Sequence, residues 1–179
     1  MGGEQAVVRL TPLESTEATP NAKATPEETQ VVSKEILETL LHGMGLPAQV
    51  QVLSDPNAED SQAFVLNIVG DDLGVLIGRR GETLRDLEYL LRLMVSQKTG
   101  KPGKLSVDIE GYRIRRERIL RELAKRMAER VEMSRQPITL EAMPPNERRI
   151  IHLTLRDHLN VRTNSIGEGE HRRVMILHK

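Results

Sequence analysis

The sequence predicts an α+β protein made of two small modules joined by a long basic helix. Its 179 residues suffice for one medium domain or two small ones, and 38% of them are hydrophobic, enough for globular cores. Short alternating segments that are typical of strands are interleaved with helical stretches. Charge also divides the chain, because residues 1–111 hold 10 Lys or Arg against 17 Asp or Glu, whereas residues 112–179 hold 16 against 9. The basic half is suited to a polyanion, although a solvated helix face would give the same pattern.

The first 30 residues are rich in Thr, Glu, Ala and Pro and carry few large apolar side chains. Residues 1–30 are therefore expected to form a disordered tail or linker. Order should begin near Thr29, with Ser33 capping a first helix that ends at Gly43 or Gly45. The apolar positions of that helix are Ile36, Leu37, Leu40 and Leu41.

The first module continues with a β-hairpin. Residues 48–53 and 63–69 alternate between apolar and polar side chains, and an acidic turn over residues 55–60 separates them. A third alternating strand is expected at 104–109. The module as a whole, residues 31–111, should therefore contain a three-stranded sheet.

A short apolar helix at residues 73–77, a turn at 78–81 and a long helix lie between the second and third strands. The long helix should bury one face, because its apolar residues recur at i, i+3 and i+4, and it should end by Gly100 and Pro102. These apolar residues are Leu84, Leu87, Leu90, Leu91 and Met94. The expected element order of the module is α-β-β-α-turn-α-β.

The basic half begins with a charged helix over residues 112–135 that is expected to connect the modules. Its narrow apolar stripe comprises Ile114, Ile119, Leu120, Leu123, Met127 and Val131. The second module, residues 136–179, is too short for a large core and is expected to lean on this helix. Its predicted elements are a strand at 138–142, a helix from Pro144 with an apolar row of Ile151, Leu155 and Leu159, and strands at 161–166 and 172–177.

The turn Gly78-Arg79-Arg80-Gly81 is the best candidate for a nucleic-acid contact. Glycine has no Cβ to hold a sugar-phosphate chain away, and the helix that follows directs free N–H groups at an anion. Arg79 and Arg80 add donors for phosphate oxygens, and Ile77 ends an apolar run suited to unstacked bases. Taken alone, a GxxG sequence also fits an ordinary turn between two helices.

Arg148 and His152 are the second candidate. They lie four residues apart on one helix face, and Arg156 extends the row. Because the apolar row of that helix lies opposite, we expect these three side chains to be exposed. An Arg and a His one turn apart can hold a phosphate or a base edge, but an RxxxH spacing alone fits a solvated face equally well.

Other chemistries find little support. The chain has no cysteine, so it can form neither a disulfide nor a thiolate site, which is compatible with a reducing cytoplasm. Its five histidines lack zinc spacing, Asp71-Asp72 fits a helix cap better than a metal site, and no nucleophile or Walker motif occurs. With one Phe, two Tyr and no Trp, the chain cannot supply several base-stacking rings. We therefore expect no enzymatic activity, no metal, no cofactor and no direct membrane insertion.

The order α-β-β-α-GxxG-α-β resembles the KH domain in its type II arrangement, whose GxxG loop clamps about four nucleotides of backbone. The region from Pro144 to Ile176 resembles the R-3-H domain, which is named for its Arg-xxx-His spacing. The residues that carry this second likeness are 147–152 and 163–174. This resemblance would place Arg148 and His152 at the nucleic acid. It would add Arg172 and Arg173 as supporting phosphate contacts, and Arg149, next to Arg148, is a further candidate contact.

A KH domain, a basic helix and an R-3-H domain in this order resemble the Jag family, also called KhpB or SpoIIIJ-associated. The resemblance implies a cytoplasmic, single-stranded RNA-binding protein, expected to act as a post-transcriptional regulator or RNA chaperone in cell-envelope or cell-elongation control. It also implies a complex with a small KH protein of the KhpA type, or a homodimer. A single-stranded DNA binder and a KH–KH interaction adaptor remain alternatives. Many members carry a further N-terminal domain before a linker, so the chain is either a short member or part of a longer protein.

Overall fold

Two three-stranded sheets, each covered by helices, organise the computed structural model, which describes residues 25–54 and 63–179. The first module contains α1 (Pro26–Gly43), β1 (Ala48–Ser54), β2 (Phe64–Gly70), α2 (Gly74–Ile77), α3 (Glu82–Thr99) and β3 (Leu105–Ile109). The second half contains α4 (Tyr112–Ser134), β4 (Ile138–Ala142), α5 (Pro145–Leu155), β5 (Val161–Ile166) and β6 (Arg173–His178). The predicted α+β class and the element order α-β-β-α-turn-α-β of the first module are confirmed. The predicted disorder of residues 1–24 and the acidic turn at 55–60 lie outside the described residues.

Helix α1 begins earlier than the sequence predicts. Thr25 is its N-cap and forms a capping box: the Glu28 backbone N–H donates to the Thr25 hydroxyl at 3.2 Å, and the Thr25 N–H donates to the Glu28 carboxylate at 2.7 Å. Pro26 occupies the first turn, where no N–H is needed. The prediction that Ser33 caps the helix is therefore wrong, and residues 26–30 are helical rather than part of a tail. Ser33 is buried, and its hydroxyl donates to the Thr29 carbonyl at 2.6 Å.

The first sheet has the strand order β1-β2-β3. Strands β1 and β2 form the antiparallel hairpin, whereas β2 and β3 are parallel, with Leu66 opposite Val107. A parallel pair requires a crossover connection, and α2, the Gly78–Gly81 turn and α3 provide it. The turn is thus part of the crossover of a packed sheet rather than of a free loop.

Helix α3 packs on this sheet through a face that differs in part from the predicted one. Leu84, Leu87 and Leu91 are buried as expected, and Val95 completes the row. Leu90 and Met94 are exposed, so their assignment to the core is wrong. Both lie beside the buried row, where the i, i+3 and i+4 pattern does not separate a wide buried face from its border.

The second sheet has the order β4-β6-β5 and is antiparallel throughout. Helix α4 packs into its core through buried residues at a spacing of three or four, so the second module does lean on this helix. These residues are Leu120, Ala124, Ala128 and Val131. The predicted stripe is wrong at Ile114, 76% exposed, and at Ile119, also exposed. Leu159 is 83% exposed because α5 ends at Leu155.

Among the helices of the described residues, none has the length and apolar character needed to cross a membrane.

Candidate nucleic-acid interface

The Gly78–Gly81 turn requires glycine at both ends. Gly78 has φ 68° and ψ −170°, and Gly81 has φ 77° and ψ 19°, so both lie at positive φ, which disfavours other residues. A Cβ on Gly78 would lie 2.0 Å from the Thr83 Oγ1, and one on Gly81 would lie 3.0 Å from a ring carbon of Tyr112. The two glycines therefore bring the turn against α3 and the start of α4.

The N-terminus of α3 and Arg79 are both available to an anion. Gly81 is the N-cap of α3, and no side chain caps the first N–H groups of the helix. Arg79 is exposed and forms no ion pair with any residue in the described ranges. Ile77 is partly buried and packs against the first core, so Val75, which is exposed, is the better placed of the two for an unstacked base.

Arg80 is placed differently from Arg79. Its guanidinium forms an ion pair with Glu141 and donates to the Ala142 carbonyl, both at the end of β4 in the second module. Only 21% of the Arg80 side chain is exposed. The sequence predicts two equivalent phosphate ligands, but the structure holds one arginine in solvent and the other across the module boundary.

His152 is half-buried against β5 rather than exposed. Its Nδ1 lies 2.7 Å from the Thr163 Oγ1 and its Nε2 lies 2.8 Å from the Ser165 Oγ. A neutral imidazole donates through one nitrogen and accepts through the other, and rotatable hydroxyls suit either arrangement. The RxxxH spacing alone does not identify Thr163 and Ser165 as partners of His152. Their alternation along β5 could have indicated that both side chains project from the same face.

Arg148 is also partly buried, and its Nη1 donates to the Met143 carbonyl at 2.8 Å. The prediction that the Arg148–His152 row is exposed is therefore wrong for these two residues, because the β4–α5 connection and β5 cover them. The remaining predicted arginines, Arg149, Arg156, Arg172 and Arg173, are exposed. Arg156 lies 3.5 Å from the Asp157 carboxylate, and the Arg173 Nε donates to the His171 carbonyl at 3.3 Å.

A cleft of about 420 Å³ lies where the turn, α4 and the start of α5 meet. Its lining includes Arg80, Gly81, Tyr112, Asn146 and Glu147. No sequence motif indicates this cleft, because it depends on how the two modules are placed. Among the described residues, no cluster of three or more His, Cys, Asp or Glu side chains could hold a metal ion.

The pKa of His152 lies below its ordinary value of 6.5, chiefly because burial disfavours the charged imidazole and also because Arg148 and Arg172 repel it. As the pH falls, His152 therefore takes up a proton at a higher pH in the unfolded chain than in the folded chain. The stability contributed by neutral His152 should be complete above about pH 6.5 and be lost as the pH falls through the lower folded pKa.

In urea denaturation between about pH 7.5 and about pH 5.5, the free energy of unfolding of His152→Gln should depend less steeply on pH than that of the wild type. Gln51→Ala, at an exposed position on β1 without a titratable side chain, is the control and should keep the wild-type slope. Identical slopes for all three proteins would contradict the assignment.

Two protein families match the chain, in the order of its modules. The KH domain of KhpA/KhpB matches residues 34–109, and the R-3-H domain matches residues 118–178. The chain is 38% identical over 142 residues to the RNA-binding protein KhpB of Clostridium symbiosum and 40% identical over 129 residues to that of Bacillus subtilis (strain 168). These alignments cover 79% and 70% of this chain, but 63% and 62% of the relatives. The chain therefore spans less than two thirds of the length of these curated relatives.

Proposed function

Because the chain belongs to the KhpB family over the KH and R-3-H domains that it spans, we propose that it is a non-enzymatic, single-stranded RNA-binding protein. The observation that carries the proposal is the Gly78–Gly81 turn, in which an exposed Arg79 lies beside the uncapped N-terminus of α3. The relatives named above are RNA-binding proteins by name, which favours RNA over DNA.

The turn would bind the sugar-phosphate backbone. A phosphate would accept hydrogen bonds from the first N–H groups of α3 and from the Arg79 guanidinium, which is a charge-assisted interaction. Gly78 and Gly81 would let the backbone approach closely, because neither has a side chain. Val75, which is 65% exposed, would contact the apolar face of an unstacked RNA base.

Arg148, His152 and Arg172 would form the second contact. Burial is the main cause of the lowered pKa of His152, and Arg148 and Arg172 lower it further, because both place positive charge close to its ring. A phosphate bound there would relieve this repulsion, and the Ser165 and Thr163 hydroxyls would hold the ring in place. Arg149, Arg156 and Arg173 are exposed and would add further phosphate contacts.

Arg79→Glu should weaken binding of a fluorescent single-stranded RNA by about tenfold or more, because it replaces a phosphate donor with a repelling charge. Fluorescence polarisation measures this. Arg126→Glu, at an exposed position on α4, makes the same change in net charge and is the control. The loss of affinity in Arg79→Glu beyond that in Arg126→Glu measures the contribution of the turn to RNA binding.

The salt dependence separates a specific contact from a general charge effect. Binding should weaken as the salt concentration rises. Arg79→Glu should lower the magnitude of the slope of log K against log salt by about one, the amount expected for one lost phosphate contact. Equal loss of affinity in the Arg79 and Arg126 variants would rule out the turn as the RNA site.

In the cell, the proposal implies a cytoplasmic post-transcriptional regulator or RNA chaperone acting in cell-envelope or cell-elongation control. This part follows from the family resemblance. Crosslinking the protein to RNA in living cells and sequencing the bound RNA tests it, because targets unrelated to envelope genes would contradict the pathway. Competition between matched RNA and DNA oligonucleotides separates the proposal from a single-stranded DNA binder.

A second candidate function, pairing with another KH protein, is favoured by an exposed apolar stripe on α3. The stripe consists of Tyr89, Leu90, Leu93 and Met94, which are neighbours on one helix face. Such a surface fits a homodimer or a complex with a small KH protein of the KhpA type. Light scattering with and without oligonucleotide distinguishes a pairing adaptor, which associates in the absence of RNA, from a monomeric RNA binder.

A further inference from the structure

The two candidate RNA contacts meet at one short segment of the chain. Arg80, from the Gly78–Gly81 turn, donates to the Ala142 carbonyl, and Arg148, from the Arg148–His152 site, donates to the Met143 carbonyl at 2.8 Å. Ala142 and Met143 are consecutive residues, so the two acceptor carbonyls belong to adjacent peptide units. The two motifs are therefore tied to the same piece of backbone rather than to distant parts of the surface.

The rest of the module boundary is also held firmly. Helix α4 is continuous over 23 residues, about 34 Å, and belongs to both modules. At its start, Tyr112 packs against the first core and the Arg113 Nε donates to the Val107 carbonyl at 3.0 Å. From Leu120 onward, one face of the same helix is buried in the second core. Residues 110–137 are all described and include no long irregular linker, so the placement of the modules is built into one helix.

We propose that the Gly78–Gly81 turn and the Arg148–His152 site form one composite surface that binds a single continuous strand of RNA, with residues 141–143 as the fixed bridge between them. This inference rests on the proposed function. Because the two contacts are preorganised, an RNA strand long enough to reach both sites binds more tightly than a shorter strand that reaches only one. In this arrangement Arg79 is the phosphate ligand of the turn, and Arg80 is a positioning residue that holds the turn against the bridge.

Residues 141–143 could either join the two RNA contacts or occupy the RNA site themselves. The exposure of Glu141 favours the first role. The Glu141 side chain remains 80% exposed although it pairs with Arg80. Arg79, the residue next to Arg80, also remains exposed. A segment that occupied the RNA site would instead cover the exposed arginine.

The chain supplies its own matched control, because Arg79 and Arg80 are adjacent and each loses one positive charge on substitution with Gln. The test measures the affinities of two single-stranded RNAs, of about four and about twelve nucleotides, for the wild type and for Arg79→Gln, Arg80→Gln and Glu141→Gln. Arg79→Gln should weaken both RNAs by about tenfold. Arg80→Gln should weaken the longer RNA by about tenfold and leave the shorter one within about twofold.

Glu141→Gln gives the sharpest contrast with a general charge effect. It removes a negative charge, which would tighten binding to RNA, yet the composite surface predicts that the longer RNA binds about threefold more weakly. Because Glu141 is exposed, this variant should keep its fold. Weakening of the shorter RNA by Arg80→Gln, or tighter binding of either RNA by Glu141→Gln, would overturn the inference. If the wild type binds neither RNA, the proposed function fails instead.

Discussion

Replacing Arg116 with Met is expected to lower the free energy of unfolding by about 3 kcal/mol, because it leaves a buried carboxylate without its partner. Glu147 lies in the first turn of α5, and its side chain is only 5% exposed. Arg116, on α4, forms a bidentate ion pair with it: the Arg116 Nε lies 2.8 Å from the Glu147 Oε1, and the Nη2 lies 3.0 Å from the Oε2. The hydrogen bond to Glu147 is the main cause of the raised pKa of Arg116. Urea denaturation at neutral pH measures the loss.

The double variant Arg116→Met/Glu147→Leu is the control for this prediction. It removes both charges and should be less destabilised than Arg116→Met alone, because no ionised group is left buried. If Arg116→Met lost less than about 1 kcal/mol, the pair would behave like an exposed ion pair and would not hold α4 and α5 together.

Gly78→Ala is expected to destabilise the protein by about 2 kcal/mol or more and to abolish most RNA binding, because both its backbone and its surroundings exclude a side chain. The φ of 68° with ψ of −170° lies in a region that is essentially restricted to glycine. The new Cβ would also lie 2.0 Å from the Thr83 Oγ1 and 2.8 Å from the Thr83 Cβ. Either the turn or the start of α3 has to move, and the phosphate site contains both.

Gly74→Ala is the matched control. Gly74 is the first residue of α2, and a Cβ there would contact nothing within 4 Å. This substitution should be neutral or stabilise by up to about 1 kcal/mol through the unfolded state. Thermal denaturation and fluorescence polarisation of both variants check the prediction. Equal stability of the Gly74 and Gly78 variants would contradict the strained geometry of the turn.

The sequence allowed the elements and both motifs to be predicted, because these depend on local chemistry. Strands β4 and β5 fall at the predicted residues, since alternation and flanking turn residues define them. The start of α1 differs from the predicted one, although Thr25, Pro26 and Glu28 carry a capping box and a first-turn proline. Both signals are local, so the correct start of α1 could have been predicted from the sequence.

The role of Arg80 could not be predicted in the same way. Its partner Glu141 is 61 residues away and belongs to the other module, so the contact depends on how α4 places one sheet against the other. The burial of His152 has a similar origin, because β5 covers it only once the second sheet has formed. Sequence periodicity describes the face of one helix but not which neighbouring strand covers it.

Nuclear magnetic resonance mapping tests the central proposal, that both motifs bind single-stranded RNA, most directly. The measurement is the change in backbone amide shifts of the full chain during titration with a single-stranded RNA of about twelve nucleotides. The amides of residues 78–83 at the turn and of residues 148–152 and 163–165 at the second site are expected to shift together, along one saturation curve. Shifts confined to the exposed stripe of α3, with neither motif affected, would contradict it.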